Sequence, residues 1–73
     1  MSFRRLVKKC LEANRAKHPR CIANGHEGLA LIEEEVSELR REVYRRKHKG
    51  RLRFLNELCE ISAMCERMAE EVK

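Results

Sequence analysis

The chain has no tryptophan, no aspartate and a single proline among its 73 residues, and only three aromatic side chains, Phe3, Tyr44 and Phe54. Aromatics so few and so scattered cannot form the stacking platform that holds single-stranded nucleic acid. Without aspartate, any carboxylate chemistry falls to glutamate. No apolar run approaches the ~20 residues of a membrane span and no signal-peptide core is present, so the sequence predicts a soluble, cytoplasmic protein without membrane contact. Four cysteines occur (Cys10, Cys21, Cys59, Cys65), but without the export signal that accompanies a disulfide framework, so they read as reduced. Zinc held by Cys10, His18, Cys21 and His26 lacks the CxxC or HxxxH spacing of a tetrahedral site.

What the chain has in abundance is charge. Seventeen Lys and Arg stand against twelve Glu, a formal net charge of +5, and the signs are segregated. Residues 1–25 hold seven basic side chains against Glu12, and residues 40–53 hold eight against Glu42. Between and after them, residues 26–39 carry five Glu and no Lys or Arg, and residues 54–73 carry five Glu against Arg67 and Lys73. A fold of this length buries only roughly 60% of the surface its unfolded chain exposes, so its core is thin and self-association is expected.

Apolar residues recur at helical spacing three times. Phe3, Leu6, Val7, Cys10 and Leu11 mark helix 1, about 3–16, which stops where His18 precedes Pro19 and is pushed out of the α region. Asn24 with Glu27 forms a capping box that opens helix 2, about 26–48, along the stripe Leu29, Ile32, Val36, Leu39 and Val43, with RRKHKG as its C-terminal signal. Helix 3, about 52–72, follows Leu55, Leu58, Ile61, Cys65, Met68 and Val72. The sequence thus predicts one all-α domain over residues 1–73, with helices 2 and 3 as an antiparallel hairpin.

Within that hairpin, EVSEL (35–39) and ELCEI (57–61) repeat one pattern. At ~100° per residue, Glu35 and Glu38 lie to one side of Val36, and Glu57 and Glu60 hold the same offsets from Leu58. In an antiparallel pair packed through the stripes, equal offsets emerge on one flank, within about a turn in height. Two carboxylates ~5 Å apart repel by roughly 3 kcal/mol at an effective dielectric near 20, so four of them invite a cation, and an all-oxygen set suits Mg²⁺ or Mn²⁺. The competing reading is a charge-rich hairpin whose Glu side chains pair with Lys or Arg and do nothing more.

GLALIEEEVSELRREV followed by NELCEISAMCERMAEEV resembles the MazG-type all-α nucleoside triphosphate pyrophosphohydrolases, which carry EExxE, a variable spacer and ExxD on neighbouring helices. The resemblance spans about residues 24–72, with Glu34, Glu35 and Glu38 in the first motif and Glu57 and Glu60 in the second; Glu60 stands where the family usually has Asp. It implies Mg²⁺-dependent hydrolysis of a nucleoside triphosphate to the monophosphate and pyrophosphate. Metal-ligand roles fall on Glu35, Glu38, Glu57 and Glu60, and Glu34 supports a ligand or orients the attacking water. It also implies a homodimer or higher homo-oligomer, with paired hairpins making a four-helix bundle. Cations for the phosphates are expected from Lys8, Lys9 and Arg53, beside Arg4 and Arg5 or a second subunit.

The basic blocks raise an alternative: a small helical nucleic-acid-binding or regulatory protein without catalysis. Against it, the helix that would read the major groove turns acidic after Arg53 and would repel phosphates.

Overall fold

A computed structural model describes residues 2–45 and 51–72, and within them it contains three helices and no strand: α1 (Phe3–Lys17), α2 (Gly25–Tyr44) and α3 (Arg51–Glu71). The helix ends follow local chemistry. Ser2 caps α1 by accepting the Arg5 amide (3.3 Å), and α1 terminates at His18, ahead of Pro19. Asn24 caps α2 by accepting the Glu27 amide at 2.9 Å, and Glu27 places its charge at the positive end of the helix.

α2 ends four residues before the expected limit. Arg45 is extended (φ −67°, ψ 126°). No apolar residue follows Tyr44 until Leu52, so further turns would bury nothing. Arg41 and Arg45 would also set like charges one turn apart. The remainder of the RRKHKG signal, residues 46–50, lies outside the described residues.

α3 is the shared partner. α1 and α2 each pack along it, while among the described residues they make no packed contact with each other. The α2–α3 hairpin is antiparallel: Gly28, early in α2, abuts Met68, late in α3, where an added Cβ would stand 2.8 Å from the Met68 sulfur. α1 runs parallel to α3, with Cys10 against Cys59 and Asn14 bonded to Arg67. The buried core is small: Leu11, Ile22, Cys59, Ala63 and Met64. All four cysteines carry free thiols.

This packing corrects the expected seam. The buried face of α3 is Cys59, Ala63, Met64 and Arg67, roughly opposite the stripe centred on Leu58. On α2, Leu29, Val36 and Val43 are 51%, 38% and 48% exposed. The face turned toward α3 instead carries Gly28, Glu35, Leu39 and Glu42, all at least half-buried. Because α1 occupies one side of α3 and α2 another, the most enclosed face of α3 is the one between them, not the one richest in large apolar residues.

The loop joining α1 to α2 is tied down by Arg67, which is 3% exposed. Its guanidinium donates from Nε (2.8 Å) and Nη2 (2.9 Å) to the two Glu71 oxygens, from Nη1 to Asn14 Oδ1 (2.8 Å), and from Nη2 to the Arg20 carbonyl (3.0 Å). The Ile22 amide donates to Glu71 Oε1 (2.9 Å), and Arg15 pairs with Glu70 and Glu71. The Arg67–Glu71 pair lies within α3, and the other bonds bring α1 or the loop onto the C-terminal end of that helix. No helix among the described residues is long and apolar enough to cross a membrane.

Candidate functional site

With α1 and α2 astride α3 and apart from each other, a cleft opens between them. One cavity of about 550 Å³ includes Lys17, His18, Arg20, Leu31, Glu34, Glu35 and Arg67 in its lining. A second, of about 540 Å³, is lined by Asn14, Lys17, His18 and the carboxylates Glu35, Glu38, Glu57 and Glu60 among others. Asn14, Lys17, His18 and Glu35 line both, so the two are neighbouring compartments that meet at these residues.

Glu35, Glu38 and Glu57 each offer an oxygen such that all three lie within 4.8 Å of one another. α2 supplies Glu35 and Glu38 one turn apart, and α3 supplies Glu57 across the antiparallel contact. Glu60 lines the same cavity without belonging to that tight group. The Cys10 thiol is pushed up to about 11, by burial first and then by the Glu60 charge. Glu34 is exposed and lines the other compartment.

Among the described residues no ion pair engages Glu35, Glu38 or Glu57. Glu35 Oε2 and Glu57 Oε2 are buried and have no hydrogen-bond partner. Burial lifts the Glu35 carboxyl to about 7, helped by the charges of Glu38, Glu60, Glu57 and Glu34. Glu57 is raised too, by burial and then by the charge of Glu38 and a hydrogen bond to it. At neutral pH Glu35 therefore retains a share of the proton that an isolated glutamate would have released. The donor set is all oxygen, which fits a hard divalent cation, and a cation there would give the two orphaned oxygens a partner.

The cations around this cluster include residues beyond those the sequence suggested. Lys8 and Lys9 are exposed on α1 and do not line either compartment of the cleft. Arg53 lines a separate cavity with Glu42, Glu57 and Cys10. Lys17 and His18, at the end of α1, line both compartments, and Arg41 and Arg45 line a further cavity with Glu38, Glu42 and Glu57. Helical periodicity carries no signal for Lys17 and His18, because their placement depends on α1 running parallel to α3. Arg41 was legible as one turn beyond Glu38 on α2.

Comparison of the chain with protein-family models, with curated proteins and with solved structures finds no match in any of the three.

Proposed function

We propose that this protein is a divalent-cation-dependent nucleoside triphosphate pyrophosphohydrolase of the MazG type, acting on an NTP or dNTP as a homodimer or larger homo-oligomer. The observation that carries the reading is the convergence of Glu35, Glu38 and Glu57, oxygens within 4.8 Å of one another, in a cleft whose other wall bears Lys17 and His18. The motif resemblance supplies the reaction; the arrangement is what such a reaction needs.

In this reading Glu35, Glu38 and Glu57 hold Mg²⁺ or Mn²⁺, with Glu60 completing the set from the cavity wall. When bound, a cation of this class neutralises charge on phosphate oxygens and lowers the pKa of coordinated water. Lys17 and His18 receive the phosphates from the α1 side, in the place expected of Lys8, Lys9 and Arg53. Glu35 sits where the two compartments meet, so its carboxyl, lifted to about 7, gives up its proton as the ligand set forms. Glu34, on the same helix and in the adjoining compartment, orients water rather than binding the ion.

Release of pyrophosphate from the common NTPs and dNTPs with and without Mg²⁺ tests the reading. Turnover that requires Mg²⁺ or Mn²⁺ and is lost in Glu38→Gln is the expected result; no turnover on any of these substrates overturns it. The alternative, nucleic-acid binding through exposed Arg4, Arg5, Lys8 and Lys9, predicts affinity that falls steeply with salt and is unchanged by Glu38→Gln.

A further inference from the structure

Leu6, Cys10 and Asn14 stand one turn apart along α1, and Leu55, Cys59 and Ala63 stand one turn apart along α3. The two helices run parallel, and these rows face each other. Leu6, Cys10, Leu55 and Cys59 line one cavity of about 560 Å³, with Cys10 against Cys59. One turn further on, Asn14 bonds Arg67, which follows Ala63 by a turn. The register that sets the two cysteines opposite each other is thus held from both sides.

A disulfide between helices needs Cα atoms within about 7 Å, an approach that packed helices make only where small side chains meet. α3 supplies them at this crossing, for Cys59 and Ala63 are both buried. The remaining cysteines, Cys21 in the α1–α2 loop and Cys65 on α3, are exposed.

We propose that Cys10 and Cys59 form an oxidative modification site, closing to an intrachain disulfide that staples α1 to α3 when the protein meets a hydroperoxide. Half-buried Cys10 lines the cavity and takes the oxidant. Its sulfur attacks the peroxide, an S–O bond forms as O–O breaks, and the departing hydroxide takes the thiol proton and leaves as water. Buried Cys59 needs no access to solvent. Its sulfur attacks that of Cys10, S–S forms as S–O breaks, and the second hydroxide leaves as water with the Cys59 proton. Two thiols lose two electrons and one peroxide gains them. Burial pushes the Cys10 thiol up to about 11 and raises Cys59 as well, so thiolate is scarce at neutral pH and the first step is slow. The site therefore answers sustained oxidant, not a brief pulse.

The staple falls where α1 is otherwise least secured. Among the described residues, every hydrogen bond and ion pair between α1 and α3 uses Asn14 or Arg15, near the C-terminal end of α1. Towards its N-terminus only side-chain packing holds it. A Cys10–Cys59 bond closes a loop of about 50 residues that contains all of α2, and it fixes the helix whose far end carries Lys17 and His18 into the cleft. This lies beyond the catalytic reading and uses none of its chemistry.

The full chain carrying Cys21→Ser and Cys65→Ser keeps only this pair of thiols. It is treated with hydrogen peroxide at low micromolar protein, its free thiols are counted after unfolding, and peptide mass spectrometry locates the bond. We expect both thiols to disappear together, a monomer that migrates faster on a non-reducing gel, and unchanged helix content by circular dichroism. The melting temperature should rise by roughly 10 °C or more, and dithiothreitol should restore the thiols and the original value. Adding Cys10→Ser should abolish the rise. Thiols that stay free, oxidation that ends in sulfinic acid, or bonds that form only between chains would overturn the proposal. An intrachain bond that leaves the melting temperature unchanged or lowers it also overturns it, because the helices would then have to part for the bond to form.

Discussion

The two ends of α3 treat carboxylates in opposite ways. At the C-terminal end Glu71 receives two hydrogen bonds from Arg67 and one from the Ile22 amide, and these hold its carboxyl down at about 2. Near the N-terminal end Glu57 faces Glu35 and Glu38, orphaned oxygens remain buried, and the Glu35 carboxyl is lifted to about 7. One chain, rich in arginine, has built a complete ion pair at one end and left three acids together at the other. Placing cations beside glutamate is plainly within its means, and the contrast between the two ends is what the proposed cation site has to explain.

Breaking the paired end gives the largest effect. Arg67→Ala strands Glu71 and Asn14 and frees the α1–α2 loop, and it should cost about 3–5 kcal/mol, enough to unfold much of the population by thermal melting. Glu71→Gln keeps the shape and loses the charge, and about 1–3 kcal/mol is expected.

Acid and base should then separate the two ends. Glu71 has a folded pKa below its unfolded value, so its contribution is present above about pH 4.5 and is lost as pH falls toward about 2. Glu35 has a folded pKa above its unfolded value, so without metal stability falls as pH rises from about 4.5 through about 7. Melting temperature against pH in chelator should therefore peak near pH 5, and Mg²⁺ should lift the arm above pH 6 and leave the acid arm unchanged. A curve that Mg²⁺ does not alter would remove the argument for a cation site.

A smaller effect sharpens the same contrast. Glu35→Gln should raise stability at pH 8 in chelator by about 1 kcal/mol or less, read as a higher melting temperature, because it removes a repelling charge, and it should abolish the gain from Mg²⁺. Lys17→Ala should leave both curves in place and reduce turnover, if the phosphates are met from α1.

Three helices, their order, the Asn24 cap and the stop before Pro19 were legible because each is written in a few neighbouring residues. The convergence of Glu35, Glu38 and Glu57 was expected from a seam through Val36 and Leu58, and the structure reaches it through a different one, in which the face of α2 turned toward α3 carries Glu35 itself. The inward face was not legible. The wheel for α3 shows an apolar line through Leu58 and Cys65, but its closest packing uses Cys59 and Ala63, small enough for α1 to approach, and Arg67, which reads as a surface residue until Glu71, Asn14 and the Arg20 carbonyl surround it. Glu60 could not be told from the other three acids in sequence, because the wheel gives it the same offset from Leu58 that Glu38 has from Val36.

That α1 and α2 touch α3 and not each other also bears on how the chain acquires its shape during synthesis. A nascent chain that has emerged only as far as residue 45 holds two helices and no partner for either, and short isolated helices are marginal in water. The bonds from Asn14 and Ile22 reach across sequence separations of 53 and 49 residues. Packing of these three helices must therefore wait for α3 to leave the ribosome, which makes their assembly a single event and leaves the apolar sides of α1 and α2 exposed to chaperones until then.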